Sequence, residues 1–216
     1  MMVDDASTTE DLLAALGDTT LAASERLDAL ELLQARAFET AAFAAHRADY
    51  VQALRTLTGD PDDDLSEAAL TILADHEDPF AQNLLIQGLQ NPSVARLPAF
   101  LALQLLRGDG HAATAAVARD ILANAADPEE RAEAAHVLAT DPTAAALLAA
   151  VVADTAEAAE VREAAAMSLR NIDGPAFAAA ARPIVADETD NWRVRTTSKT
   201  LLALLPADQG GDGEVG

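Results

Sequence analysis

Residues 160–172 read EVREAAAMSLRNI, and the way this stretch repeats decides how the chain is built. Val161, Ala165, Met167, Ser168 and Leu169 fall on or near one side of a helical turn, with Arg162 at the edge of that side. The same figure returns along the chain: an arginine, an alanine three residues on, then a small or apolar residue, and a leucine at the seventh. It starts at Arg26 (RLDALELL), Arg96 (RLPAFLAL) and Arg131 (RAEAAHVL), with a serine version at Ser66 (SEAALTIL) and a degraded one at Arg195 (RTTSKTLL). Successive copies lie about 40, 30, 35, 31 and 33 residues apart, the period of a two-helix solenoid unit.

Composition agrees with helices. Apolar residues make up 50% of the 216, aromatics only 3%, and alanine roughly a quarter. Alanine is the best helix former and lets neighbouring helices approach closely. A β-protein would need many more β-branched and aromatic residues. The class expected is all-α.

The 36 acidic and 14 basic residues leave a net charge of −22. Such a field repels nucleic-acid phosphates and anionic membrane surfaces, so neither is an expected partner. It suits a solubilised surface from a salt-adapted source, or a surface that meets a basic partner. The absence of cysteine excludes disulfides and thiol chemistry and fits a reducing compartment. The opening MMVDDASTTEDLL has no apolar core of a secretory signal, and the longest apolar run, Ala144 to Ala153, is too short to span a bilayer. A cytoplasmic protein is expected.

Punctuation sets the boundaries. Residues 1–8 read as a disordered lead-in, 9–205 as a single repeat domain, and 206–216 as a disordered, Gly- and Asp-rich tail. A short helix, Glu10 to Leu16, stops at Gly17, and Thr20 to Ala37 carries the first copy of the figure as a cap on the stack. A longer helix, Phe38 to Leu57, turns Phe43, Tyr50 and Leu54 inward. Asx-Pro pairs at Asp60, Asp78, Asn91, Asp127 and Asp141 then place a capping side chain beside a first-turn proline. They predict helices over 63–75, 79–89, 92–107, 111–125, 128–139, 142–153, 157–171, 175–186 and 190–205. Pro98 and Pro183 fall inside two of these and must bend the helix or end a turn of it.

These residues carry a family resemblance. Phe177 to Leu205, with a proline in its first helix, an aspartate-bearing turn and then WRVR…L, resembles a HEAT repeat. Ala144 to Ile172, with its D…VREAAAMSL core, is similar, and the resemblance extends from about Thr20 to Leu205. The copies depart from the family pattern at Ser66, where the arginine belongs, and at Ser198-Lys199, where two alanines would pack. The resemblance implies an α-solenoid of about five to six antiparallel helix-pair repeats wound as a right-handed superhelix. HEAT-like arrays are mostly protein-binding scaffolds, with bilin lyases and DNA glycosylases a minority. It therefore implies a non-catalytic scaffold or adaptor, with a HEAT-like enzyme of the bilin-lyase kind or a subunit of a larger complex as alternatives. In similar repeats the recurring arginine reaches aspartates in neighbouring turns. Asp127, Asp154 and Asp190 stand in suitable places.

No catalytic motif and no cofactor signature appears: G-x-S-x-G, the phosphate-cradling glycine loops and H-E-x-x-H are all missing. The four histidines, His46, His76, His111 and His136, lie in different units and suit surface or capping positions better than a metal site. Asp60, Asp62 and Asp64 imitate the start of a calcium loop but lack its glycine and its bidentate glutamate, so they read as capping acids. A DNA-glycosylase role would need a basic, aromatic-lined concave face, and the only cationic-aromatic spot is Trp192 with Arg193, Arg195 and Lys199. Trp192 reads as closing the last repeat or as a contact hot spot.

The expected working surface is the exposed side of the figure-bearing helices, at Glu31, Thr71, Leu101, His136, Met167 and Thr200. Beside it run Leu27, Glu67, Leu97, Ala132, Glu163 and Thr196. This mixed acidic and apolar stripe suits a partner helix or basic segment, and equally an ordinary solvated face; Trp192 and Arg193 are further candidate contacts.

Overall fold

The computed structural model describes residues 7–37 and 43–206. Among these, twelve α-helices and a few short 3-10 turns make up the ordered structure, with no strand. In chain order they are α1 (Thr9–Gly17), α2 (Ala23–Ala37), α3 (Arg47–Leu57), α4 (Asp63–Asp75), α5 (Pro79–Gln90), α6 (Ala99–Leu105), α7 (Ala112–Asn124), α8 (Pro128–Val137), α9 (Ala145–Ala153), α10 (Ala159–Ile172), α11 (Gly174–Ala186) and α12 (Trp192–Ala203). The fold is all-α. No described helix is long and apolar enough to cross a membrane.

The caps explain most boundaries. Thr8, the last residue of the expected lead-in, caps α1: its hydroxyl accepts from the Asp11 amide, and Asp11 accepts in return from the Thr8 amide at 3.0 Å. Asp127, Asp141 and Asp173 accept from the amides of Glu129, Thr143 and Ala176, each just ahead of a proline or Gly-Pro start. Asp62, rather than Asp60, caps α4 through the Leu65 amide. Residues 1–6 of the lead-in and 207–216 of the tail lie outside the described residues, as do 38–42 at the start of the helix expected from Phe38. In the described part of that expected helix a 3-10 turn, Ala44–His46, precedes α3.

Two expectations need correction. The helix read over 92–107 is broken: a 3-10 turn spans Pro92–Val94, and α6 begins only at Ala99, with Pro98 as its cap in extended conformation (φ −52, ψ 145). A proline has no amide hydrogen to donate and disfavours a helical residue before it, so Pro98 starts a helix here. Arg96 is consequently exposed in the preceding loop and outside any helix. Pro183, by contrast, is accommodated inside α11. The helices read over 128–139 and 142–153 also taper into 3-10 turns at Leu138–Thr140 and Pro142–Ala144.

The chain divides into two compact units, one of Met1–Gly88 with Ser93–Leu97 and one of Leu89–Pro92 with Pro98–Gly216. In the first, α1 packs on α2 and α3, and α4 on α2 and α3. Its core is Leu12, Leu16, Leu30, Leu33, Leu54, Leu65, Leu70 and Leu73, each no more than 1% exposed. Gly88 belongs to this unit because a Cβ there would stand 3.1 Å from the Ala95 Cα. In the second, α7 pairs with α8, α9 with α10 and α11 with α12, while α6, α8, α10 and α12 also pack each on the next. Every substantial contact among the described helices thus joins neighbours or next-neighbours in the chain. Alanines 134, 135, 164, 165 and 166 are at most 1% exposed, and their small side chains permit the close spacing.

Candidate interaction surface

Two of the repeated arginines, Arg26 and Arg162, clip consecutive hairpins together. Arg162 on α10 is 1% exposed. Its Nε donates to the Val152 carbonyl at 3.0 Å, and its two terminal nitrogens donate to both carboxylate oxygens of Asp190 at 2.6 and 2.8 Å. Arg26 on α2 repeats this arrangement, donating to the Leu16 carbonyl at 3.1 Å and to Asp60 at 2.6 Å. In both, one guanidinium satisfies a carbonyl left open at the preceding helix's C-terminus and binds an acid in the next hairpin's turn. The Arg162 hydrogen bonds hold the Asp190 carboxyl below the usual carboxylate range, against the opposing effect of burial. For Asp60, burial works to raise the carboxyl, and the Arg26 hydrogen bond, the Asp62 amide and the Arg26 charge together bring it below its ordinary value.

Of the three turn aspartates expected to receive arginines, only Asp190 does so. Arg131 pairs with Glu157 instead, while Asp154 accepts from the Ala156 amide and Asp127 caps α8. Ser66 takes a reduced part: its hydroxyl is buried and donates to the Thr58 carbonyl at 2.9 Å. A second set of pairs lay outside the sequence figure. Arg55 on α3 meets Asp78 at the start of α5, and Arg119 on α7 meets Asp141 ahead of α9. Arg107 pairs with Glu133, which is 7% exposed on α8.

In the second unit, Leu101, His136, Met167 and Thr200 occupy equivalent places on α6, α8, α10 and α12, the row of helices that pack successively. Leu101 and His136 are half-buried, while Met167 is 39% exposed and Thr200 exposed. Burial pushes the His136 imidazole pKa down, with the Arg107 charge adding to the effect and Glu133 opposing it. In the first unit, Glu31 is exposed on α2 and Thr71 half-buried on α4.

The flanking positions need correction. Leu97 is 6% exposed and belongs to the core. Glu163 receives the Arg193 guanidinium at 2.7 Å and the Thr197 hydroxyl at 2.8 Å, so Arg193 ties α12 to α10 rather than standing free. Trp192 does not close the last repeat, because it is 72% exposed at the first position of α12.

One feature escaped the sequence reading. Phe100, Asp127, Glu129, Glu133 and Glu160 line a hollow of about 470 Å³ on the same helix row, at α6, α8 and α10. Asp127, Glu129 and Glu133 belong to one copy, and helix packing brings Phe100 and Glu160 of the copies on either side to them. The histidines occupy caps and helix ends, with His111 at the start of α7 bonded to Asp109 and His76 closing α4. Among the described residues, no three acidic or histidine side chains are grouped to hold a metal ion. No family model matches this chain, and no curated protein matches it.

Proposed function

We propose that the chain is a HEAT-like α-solenoid that serves as a protein-interaction scaffold, its working face the exposed side of the second helix of each pair. The partner is a basic, amphipathic segment. The observation that carries this reading is the row α6, α8, α10 and α12, which carries the exposed Met167 and, seven residues before it on the same face of α10, Glu160, one of four acidic residues edging a hollow. A helix with an apolar stripe and flanking lysines or arginines would bury the first and meet the second. The chain's charge of −22 speeds the encounter and rejects acidic competitors. Two supports favour the solenoid. Packing is confined to near neighbours in the chain, and the Arg26 and Arg162 clips repeat one geometry at two places.

A synthetic amphipathic Leu/Lys helix and its Leu/Glu counterpart, each titrated into the full chain by fluorescence anisotropy, test the proposal. The basic peptide should bind with micromolar affinity and weaken with salt, and the acidic one should not bind. Leu101→Glu with Met167→Glu should weaken binding about tenfold or more while circular dichroism melting is unchanged. Equal affinity of this variant, or equal binding of the two peptides, would refute it.

A further inference from the structure

The last described helix exposes a face that its predecessor keeps covered. On α10, the face that meets α12 carries Glu163 and Ala166. Glu163 receives Arg193 and Thr197, and Ala166 is buried. The same face of α12 carries Trp192, Thr196, Lys199 and Ala203 at helical spacing, and all four are exposed, Trp192 at 72%. Lys199 stands where α8 and α10 bury Ala135 and Ala166. Arg195, the arginine of the last copy, makes one long bond to the Glu188 carbonyl at 3.5 Å and grips no carboxylate among the described residues.

The first described hairpin offers the opposite face. On α12, Arg193 and Thr197 meet the preceding helix, two residues before and two after the arginine of the figure. The matching places on α2 are Ser24 and Asp28, which share one exposed face with Glu31 and Ala35. Asp28 stands where α10 buries Ala164. In the turn between α1 and α2, Asp18 accepts from the Thr20 amide through Oδ1. Asp60 holds its own turn in the same way, through the Asp62 amide, while its Oδ2 receives Arg26. A polar outer face of either sign would keep an end of the stack soluble. The two signs differ, however: α12 carries Arg193, Arg195 and Lys199 and no acid, in a chain with 36 acidic and 14 basic residues, whereas the open face of α2 carries Asp28 and Glu31 and no base.

We infer that α11 and α12 of one copy of this chain receive α1 and α2 of a second copy as the next hairpin of the stack. Asp18 takes Arg195 as Asp60 takes Arg26. Glu163 sits between Arg193 and Thr197, so Lys199, one turn on, comes between Asp28 and Glu31, and Trp192 is covered. A two-fold pairing of like ends would instead set Lys199 against Lys199. The joint is between unlike ends, so a pair of copies still offers both faces and growth continues past the dimer. It uses neither Leu101 nor Met167 and stands apart from the partner-binding face. A lone acidic helix lacks the turn that serves Arg195 and does not replace the hairpin.

Sedimentation of the full chain tests this at about 0.15 M NaCl, where repulsion between copies is screened beyond about 8 Å and contact pairs survive. The average mass should rise with concentration past twice the 22.4 kDa of one chain. Lys199→Glu alone and Asp28→Lys alone should each stay single, because each sets like charges face to face. Both change exposed residues, so their melting should match the parent. Mixing the two variants should restore association, since every joint between them pairs opposite charges. Leu101→Glu with Met167→Glu should associate as the parent does. A mass fixed at one chain up to about 1 mM, growth that stops at two chains, association of either single variant as strong as the parent's, or a mixture that stays single would overturn the inference. So would loss of association in the Leu101 and Met167 variant, which would move the joint to the partner-binding face.

Discussion

Arg162 grips Asp190 through two parallel hydrogen bonds of 2.6 and 2.8 Å, with the side chains 1% and 4% exposed. Removing one partner of such a pair strands a buried charge. Arg162→Ala should therefore destabilise the chain by about 3–5 kcal/mol in denaturant unfolding, and Arg162→Lys should recover only part of this, because lysine lacks the planar fork. A loss under about 1 kcal/mol would show that Arg162 is dispensable.

The same contact fixes a response to acid. The folded-state pKa of Asp190 lies below its ordinary value of 3.8, so the pair's stabilisation is present above that value and is lost as pH falls through the folded one. Asp60 contributes in the same direction. Melting temperature should drop steeply below about pH 4, and Arg162→Ala should flatten that drop. An unchanged slope in the variant would exclude this origin.

His136 adds a step nearer neutrality. Its folded pKa is depressed from 6.5, so the unfolded chain binds its proton first and stability declines as pH falls below 6.5. His136→Gln should remove this shoulder from the melting profile, and a persistent shoulder would assign it to another group.

Self-repulsion at a net charge of −22 is screened by salt, whereas the buried arginine clips are shielded from it. The melting temperature should rise between low and molar NaCl. A flat response would remove salt adaptation as the reason for the acidic surface.

Two backbone positions should respond in opposite directions. Gly88→Ala would place its Cβ 3.1 Å from the Ala95 Cα and should cost about 1–3 kcal/mol, since the contact is with backbone. Glu77 holds φ at 54 in the turn after α4, a conformation side chains resist, so Glu77→Gly should stabilise by about 0.5–1 kcal/mol. Thermal melts of the two variants check both signs.

Helices and their order were legible because capping aspartates, prolines and apolar spacing act within a few residues. The family resemblance, not local pattern, implied arginines reaching the turn aspartates Asp127, Asp154 and Asp190, and of these Asp190 receives one, from Arg162. Arg96 carries the same letters and fails, because Pro98 moves the helix start to Ala99 and leaves the arginine outside it. Local pattern could not reveal that Arg107 meets Glu133 or that four acids share a hollow with Phe100, since packing between helices decides both. Tyr50 was correctly placed inward, yet the lack of a partner for its hydroxyl among the described residues depends on packing between helices.

Because every substantial contact among the described helices joins partners at most two places apart, little buried surface has to wait for the far end of the polypeptide. Loop closure is cheap at every step, and an emerging chain can shelter its greasy residues in the order in which the ribosome delivers them.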